Sequence, residues 1–475
     1  MDKTAVIIVA AVVVVAGAAG ALLLLSGGDD NGRSASAEGI DYEAVNLMIF
    51  GNANNDLTID EQDKKTIQDI IDGKTPAEGH PLADVNVDGT IDRKDLDEVQ
   101  RIIDREKGIT LHVACYNYAN KKAVIDVEYP VKNVGLYGMH TVTSALYTNA
   151  GDKVVAYANP SGTKGDYPVM MGSLSGEIIS SGMGGSTAID WKKFMEIDSR
   201  TPVGALVIDT AYAGDITAVT IRDFNNAGIP VLAFNGNNVY AQIAATAWIG
   251  FLCGPDTERV GKQFAESSQE ILGEISRKVS GLKDEQRKSF MTFTMWICVC
   301  QNNSPNNSLG ELAGGIHYSK VNREFASKYR GNGFSMNLDA ETLANFQDCG
   351  AYLSIRTSDF GSDFKKLVIS NYEFKNASMG DISVSDFMHN AVERLYFINN
   401  LLPAALKVAY ITEMMYPELF EKGFADGCAQ RFIDGGYAPF LYDSNGDGKL
   451  DAKQTVSSLL TVMTYGDYKT AKGSA

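Results

Sequence analysis

The chain has few of the residues on which catalytic metal and nucleophile centres depend. It contains five histidines and six cysteines among 475 residues. No two histidines stand at metal-pair spacing, and no cysteines form a CxxC pair. The patterns GxSxG, HExxH and GxxxxGK[ST] are also missing. These absences favour a binding protein over a serine hydrolase, a zinc hydrolase or a nucleotide-hydrolysing enzyme.

Positive charge is also scarce. The chain has 42 Lys and Arg against 59 Asp and Glu, a formal net charge of −17. A phosphate backbone needs a concentrated basic patch, so nucleic acid is excluded as a partner. The hydrophobic fraction of 45% supplies several cores, and the length predicts two to four folded units. The cysteines are scattered, which favours buried thiols and leaves a disulfide open.

Residues 4–25 form one uncharged apolar run, long enough to cross a bilayer. The run predicts an uncleaved transmembrane anchor, with a cleaved signal peptide as the alternative. Either way the body is exported, at the cell membrane or secreted. Residues 26–39, SGGDDNGRSASAEG, are small and polar and predict a flexible linker.

Two twelve-residue stretches repeat a spacing of oxygen-bearing side chains. In 84–95, DVNVDGTIDRKD, these oxygens occupy positions 1, 3, 5, 9 and 12, with a carbonyl at position 7 and a turning glycine, Gly89, at position 6. Calcium takes six to eight such oxygens. The first copy has Leu57 in place of the glycine and is expected to bind more weakly. The predicted calcium ligands are Asn52, Asn54, Asp56, Thr58, Asp60 and Asp63, then Asp84, Asn86, Asp88, Thr90, Asp92 and Asp95.

Each loop continues into a predicted amphipathic helix. A repeated loop plus helix with aspartate at position 12 resembles the type I dockerin, a small all-α EF-hand pair. The resemblance covers about residues 45–107, within a predicted module at 40–108. It implies structural calcium and a cohesin partner, with an intramolecular calcium-stiffened spacer as the alternative. A third loop at 443–454 offers Asp443, Asn445, Asp447 and Lys449, within a carboxyl-terminal segment 442–475. Because Gln454 stands at its position 12, an ordinary Asx-Gly turn is the alternative there.

The body, residues 110–441, alternates short apolar strands with helices. HVACYNYANKKAVIDVEYP predicts a hairpin, and KNVGLYG, KVVAYAN, VGALVIDT and IPVLAFNG predict strands. This alternation predicts a mostly parallel sheet covered on both faces. A helix over 257–279 separates these strands from a second set, FMTFTMWICVC, AYLSIRT, KLVIS and RLYFIN. The expected fold class is α/β, two Rossmann-like lobes at 110–255 and 283–441 joined by a long helix within 256–282.

Several segments of the body, in order, resemble the periplasmic-binding-protein family that delivers iron-siderophores, haem or cobalamin to ABC importers. They include VKNVGLYG, NAGIPVLAF, WIGFLCGPDTERVGKQFAE, LGELAGGIHY and EMMYPELFEKGFADGCAQRFID. The resemblance implies the class III binding-protein fold, a metal chelate or corrinoid as ligand, and an ABC permease as partner. The insertion GDYPVMMGSLSGEIISSGMGGSTAID departs from the family's pattern and predicts enlarged loops around the cleft between the lobes. This departure leaves the ligand's identity open.

Ligands of α/β sheets gather at the carboxyl ends of the strands. The residues expected there supply rings for stacking and amides for polar rims. They are Tyr137, Met139, His140, Asn159, Tyr212, Asn235, Asn237, Gln301, Arg356 and Thr357. His140 could ligate a metal axially or serve as a helix cap.

The sequence therefore predicts a membrane-tethered extracellular substrate-binding protein, not an enzyme, with structural calcium. A calcium-dependent surface scaffold or adhesion protein is the main alternative. A hydrolase attached to a dockerin is the lesser one, and a chelatase-like enzyme conflicts with export.

Overall fold

The computed structural model describes residues 39–116, 121–159, 172–181, 189–210, 224, 226–295, 298–300, 304–329, 335–337, 345–356, 393–437, 447 and 460–462. Within these residues no helix is long and apolar enough to span a membrane. The predicted anchor at 4–25 and the linker at 26–39, apart from Gly39, lie outside them.

The amino-terminal module, residues 40–108, is built on two short helices, α1 (Glu61–Ile71) and α2 (Arg93–Ile103). Both begin with the same type of amino-terminal cap. The caps Asp60 and Asp92 each form a capping box with the aspartate three residues later, Asp63 and Asp95. These reciprocal bonds satisfy amide groups that a helix start leaves without intrahelical partners.

The first lobe contains a mixed sheet of seven described strands in the order β2-β1-β7-β6-β3-β4-β5. The predicted hairpin is present, since β1 and β2 pair antiparallel along their whole length. The other five strands run parallel to one another. In chain order the elements are β1 (Ile109–Tyr116), β2 (Lys122–Tyr129), β3 (Val134–Tyr137), α3 (Met139–Tyr147), β4 (Val154–Asn159), β5 (Glu177–Ser181), α4 (Trp191–Arg200), β6 (Ala205–Asp209), β7 (Val231–Phe234) and α5 (Val239–Leu252).

One long helix, α6 (Pro255–Val279), leaves the first lobe and leads to the second. The predicted apolar stripe is its buried face, which includes Val260, Phe264, Ile271 and Ile275. It packs on α5 from the first lobe and on α9 (Ala404–Met415) and α10 (Phe424–Asp434) from the second. The helix therefore joins the lobes through packed contacts on both sides.

The second lobe contains a mixed sheet around the parallel strands β8 (Ser289–Met295), β12 (Ala351–Arg356) and β13 (Leu395–Asn399). Antiparallel strands flank them, so "mostly parallel" describes this sheet less well than the first. The remaining elements are β9 (Cys298–Cys300), α7 (Pro305–Leu312), β10 (Ile316–His317), α8 (Arg323–Lys328), β11 (Ser335–Asn337) and β14 (Leu460–Val462).

Two strand predictions are wrong in detail. FMTFTMWICVC was expected to be one strand, but β8 and β9 pair antiparallel with each other. The polar insertion after β4 was expected to be loop, and part of it forms β5, which extends the sheet beside β4. The expected burial of cysteine holds at Cys115, Cys253, Cys349 and Cys428, which are buried free thiols.

The amino-terminal module packs directly against the first lobe. Its segment 47–50 lies along β1, where Phe50 N donates to His112 O at 2.9 Å and Ala114 N donates to Met48 O at 2.9 Å. Leu47, Ile49 and Phe50 are completely buried in a cluster that is continuous with the apolar core of the body. Module and lobe therefore share one core.

Arg105, just after α2, ties the module to α6. Its Nε donates to Glu258 Oε2 at 2.8 Å and its second guanidinium nitrogen bonds the other carboxylate oxygen. The guanidinium lies 4.7 Å from the centroid of the Phe251 ring and donates to Ile102 O at 2.6 Å. A bidentate pair of this kind fixes orientation as well as distance.

Candidate functional site

A small polar cavity lies where the two lobes meet. Its volume is about 20 Å³, which is enough for one water molecule. The first lobe and α6 line one side and the start of α9 lines the other. The lining residues are His140, Thr143, Ser144, Tyr147, Gln242, Ile243, Thr246, Phe264, Asn400, Leu402, Pro403, Ala404 and Lys407.

The carboxyl ends of parallel strands from both sheets converge on this place. In the first lobe β3 ends beside α3, which supplies His140, and β6 ends at Asp209. In the second lobe β13 ends at Asn399, directly before the lining residues 400–407. This is the position at which open α/β sheets bind ligands.

His140 and Asp209 form a buried pair on the first-lobe side. The distance from His140 Nδ1 to Asp209 Oδ2 is 2.6 Å, and the two residues are 7% and 0% exposed. The close approach depends on glycine, because a Cβ at Gly236 would lie 1.6 Å from Asp209 Oδ1. A carboxylate bonded to one imidazole nitrogen fixes the ring's orientation.

Lys407 occupies the second-lobe side and is only 3% exposed. Its ammonium donates to Asn400 O at 3.3 Å and to Asn400 Oδ1 at 3.1 Å. Among the described residues, no carboxylate lies within 4 Å of it. Burial lowers the pKa of Lys407 from 10.5 to about 8.

The lobes touch beside the cavity. The Tyr147 hydroxyl donates to Leu401 O, and Asn149 Nδ2 donates to Gly436 O at 3.2 Å. Within the first lobe, Ser144 and Thr246 hydroxyls bond at 2.8 Å and hold α3 against α5. In this arrangement the cavity has room for a water molecule and not for a larger ligand.

Of the predicted ligand-binding residues, the structure brings His140 to the cavity. Tyr137 and Met139 are buried in apolar clusters and do not line it. Asn235 follows β7 as predicted, but its amide donates to Glu43 of the module at 3.0 Å. Asn237 has a buried side-chain oxygen for which the described residues provide no hydrogen-bond partner. Tyr212, Gln301, Thr357 and the side chains of Asn159 and Arg356 lie outside the described residues.

Sequence reasoning missed Asp209 and Lys407. Asp209 ends an apolar strand, and its position at a carboxyl end was a usable signal. Lys407 lies in AALKVAYITEMM, a helix that is otherwise buried almost all round. A single lysine in an apolar helix pattern could have indicated a buried cation, because lysine is almost never fully buried unless paired.

In the second predicted calcium loop, side-chain oxygens accept hydrogen bonds from the loop's own backbone amides. Asp95, completely buried, accepts from Val85 N at 2.7 Å and from Asp92 N at 2.7 Å. Asp84 accepts from Asp88 N at 3.1 Å and from Gly89 N at 2.9 Å. Gly89 has φ +91°, as the turn at position 6 requires. The donor set of hard oxygens suits calcium.

The first loop is arranged differently. Asn52 donates to Leu47 O at 2.7 Å and to Asp56 O at 2.9 Å, so its amide holds the loop to the segment that packs on β1. Leu57, in place of the glycine, is buried in the core. Burial raises the pKa of Asp63, at position 12, to about 7. The weaker calcium binding expected of this copy stays a prediction.

Metal-ligand geometry among acidic side chains is not preformed. Within the described residues no three histidine, cysteine, aspartate or glutamate side chains are grouped to hold a metal ion. In the second loop Lys94 Nζ donates to Asp88 Oδ2 at 3.0 Å. This ammonium group would have to move away from Asp88 when a cation binds there. Of the third loop only Asp447 lies within the described residues.

Comparison with known proteins identifies the fold. No family model matches the sequence, and no curated protein matches it. Two solved structures have a TM-score of 0.50 to this one. An ABC transporter solute-binding protein from Sulfurospirillum deleyianum is 13% identical over 73% of this chain and 98% of its own. The molybdate periplasmic binding protein MolA of Haemophilus influenzae, solved with molybdate, is 8% identical over 69% and 98%.

These likenesses show the fold alone. The body has the class III fold of periplasmic solute-binding proteins, as the sequence predicted. The dockerin-like character of the module remains a prediction from its repeated loops.

Proposed function

We propose that this protein is the solute-binding component of an ABC importer. The observation that supports it most is the convergence of strand ends from two α/β lobes on one polar cavity beside a single long helix. The two similar solved structures are a solute-binding protein of an ABC transporter and a molybdate periplasmic binding protein. A helix packed on both lobes permits modest closure and resists wide hinge motion.

The proposed ligand is a metal chelate or a corrinoid, captured as the lobes separate at Tyr147 and close again. His140, held by Asp209, faces the cavity and would contact the ligand. The proposed partner is an ABC permease in the same membrane. The anchor at 4–25 would keep the body on the extracellular side, where the permease receives it.

We also propose that calcium is structural and that the module acts within the chain. The shared core and the Arg105–Glu258 pair support this intramolecular role more than a freely presented cohesin-docking unit. Asp84, Asp88 and Asp95 with the Thr90 carbonyl would hold the ion in the second loop. Bound calcium would supply positive charge that balances these clustered carboxylates.

A ligand screen tests the transport proposal. Full-length protein in mild detergent is heated with haem, cobalamin, ferric citrate or ferrichrome, with calcium varied separately. We expect at least one chelate to raise the melting temperature in a concentration-dependent way, because a ligand that binds only the folded state stabilises it. A response to calcium with none to any chelate would reject the proposal in favour of a surface scaffold.

A further inference from the structure

Two helices from different lobes begin at the inter-lobe cavity without a side-chain cap. The residue before α3 is Gly138 and the residue before α9 is Pro403, and neither provides a capping hydrogen bond. The first turns of both helices are buried. A helix start concentrates partial positive charge and unbonded amide groups, which suits an anion.

The two helix starts differ in their charge balance. Asp209 lies against Gly138 and bonds His140, so the first-lobe side already has a carboxylate. On the second-lobe side, Lys407 in the first turns of α9 adds a full positive charge. Among the described residues, its hydrogen-bond partners are the neutral oxygens of Asn400. Buried charges are normally paired with an opposite charge or bound to a ligand.

We propose that the transported ligand presents an anionic oxygen group, a carboxylate or an oxyanion, to Lys407 and the amino end of α9. This inference rests on the proposed function and names the chemistry of its ligand. The anionic group would supply the negative charge that no described carboxylate provides within 4 Å of Lys407. Asp209 would face it only from behind His140, since Asp209 is not among the residues that line the cavity.

Lys407 also has a possible structural use, because its bonds to Asn400 hold the turn between β13 and α9. The two roles predict opposite effects on stability. A structural lysine stabilises the ligand-free protein. A lysine retained for a ligand is a buried charge that the ligand-free protein would fold better without, since an apolar residue of similar length removes its desolvation cost.

The test compares Lys407→Met, Lys407→Arg and the control Lys192→Met, which removes a lysine whose side chain is 88% exposed. Each full-length variant in detergent is titrated calorimetrically with haem and ferric citrate as carboxylate probes. Molybdate and phosphate serve as free oxyanions, and ferrichrome serves as a neutral ferric chelate. The melting temperature without ligand is recorded for each.

We expect an anionic probe to bind the wild type, K407M to weaken that binding at least tenfold, and K407R to retain most of it. The melting temperature of ligand-free K407M should equal or exceed that of the wild type. Binding by carboxylates only, or by free oxyanions only, would support the inference and assign the source.

Other results would overturn it. If ferrichrome binds best and K407M leaves that binding unchanged, the anion inference fails while the proposed function stands. If K407M melts lower and loses anionic and neutral probes equally, Lys407 is structural. If no probe binds any variant, both the proposed function and the inference fail.

Discussion

Gly236 shows how a single missing side chain shapes the first-lobe half of the site. A Cβ there would lie 1.6 Å from Asp209 Oδ1, so Gly236→Ala must displace that carboxylate and its bond to His140. We expect the free energy of unfolding to fall by about 1–3 kcal/mol, the usual cost of overpacking. Urea unfolding of the full-length protein measures it.

Gly273, in the middle of α6, provides the matched control. Its Cβ would meet only the end of the Arg277 side chain, at 3.8 Å. Gly273→Ala should therefore stabilise the protein by about 0.5–1 kcal/mol, because alanine is the better residue inside a helix. Equal losses in both variants would contradict the steric argument at Asp209.

Lys407 predicts a pH dependence of stability. Burial lowers its pKa from 10.5 to about 8, so between these values the unfolded chain binds more protons than the folded chain. The free energy of unfolding contributed by this group therefore rises with pH in that window. His140 and Tyr147 line the same cavity from the first lobe and remain in the comparison variant.

The measurement is the difference in unfolding free energy between wild type and K407M at pH 7.5, 8.5 and 9.5. We expect the free energy of unfolding of the wild type to increase relative to that of K407M as the pH rises. A difference that is constant across the three values would show that Lys407 keeps its ordinary pKa.

At the scale of elements, Arg105 joins α2 to the start of α6. Replacing it by alanine leaves Glu258, which is 12% exposed, without its partner and removes the contact with Phe251. Breaking a largely buried ion pair in this way should lower the free energy of unfolding by about 2–4 kcal/mol. Chemical denaturation followed by tryptophan fluorescence measures the loss.

Arg101, four residues earlier, is the control, because it pairs with Glu98 and Glu106 on the surface. Arg101→Ala should change the free energy of unfolding by less than about 0.5 kcal/mol. If the two variants behave alike, the module does not depend on its contact with α6.

Elements with strong periodic patterns were predictable from the sequence, and elements defined by tertiary pairing were not. The stripe from Val260 to Ile275 predicted α6, and alternation predicted the β1–β2 hairpin. β5 was not predicted because its neighbours in the sequence are glycine and serine. Its pairing with β4 is what stabilises it as a strand. The division of FMTFTMWICVC into β8 and β9 was not predicted, because its apolar residues continue without a break.

The site was predictable only as a location. Strand ends indicated where ligands gather, and His140 is at the cavity. Which side chains meet there depends on how two lobes pack. For that reason the sequence did not connect Lys407 with His140, which is nearly 270 residues away. Asn235 was expected at the ligand site, but its amide donates to Glu43 of the module.

At the scale of the whole molecule, the shared core predicts that the module unfolds together with the body. The second loop leads into α2, α2 leads to Arg105, and Arg105 holds α6, which joins the lobes. Calcium should therefore raise the melting temperature of the entire described body in one transition, because ions that bind only the folded state stabilise whatever unfolds with the site.

Asp95→Asn tests this coupling against Asp97→Asn, a change of the same charge at an exposed position of α2. D95N removes a carboxylate from position 12 and should abolish most of the calcium-dependent rise in melting temperature, while D97N should keep it. Calorimetry with calcium and with a chelator reports both the shift and the number of transitions. A calcium-sensitive transition separate from that of the body would mean that module and lobe unfold independently. In that case the packing of segment 47–50 on β1 would be too weak to transmit the effect of the ion.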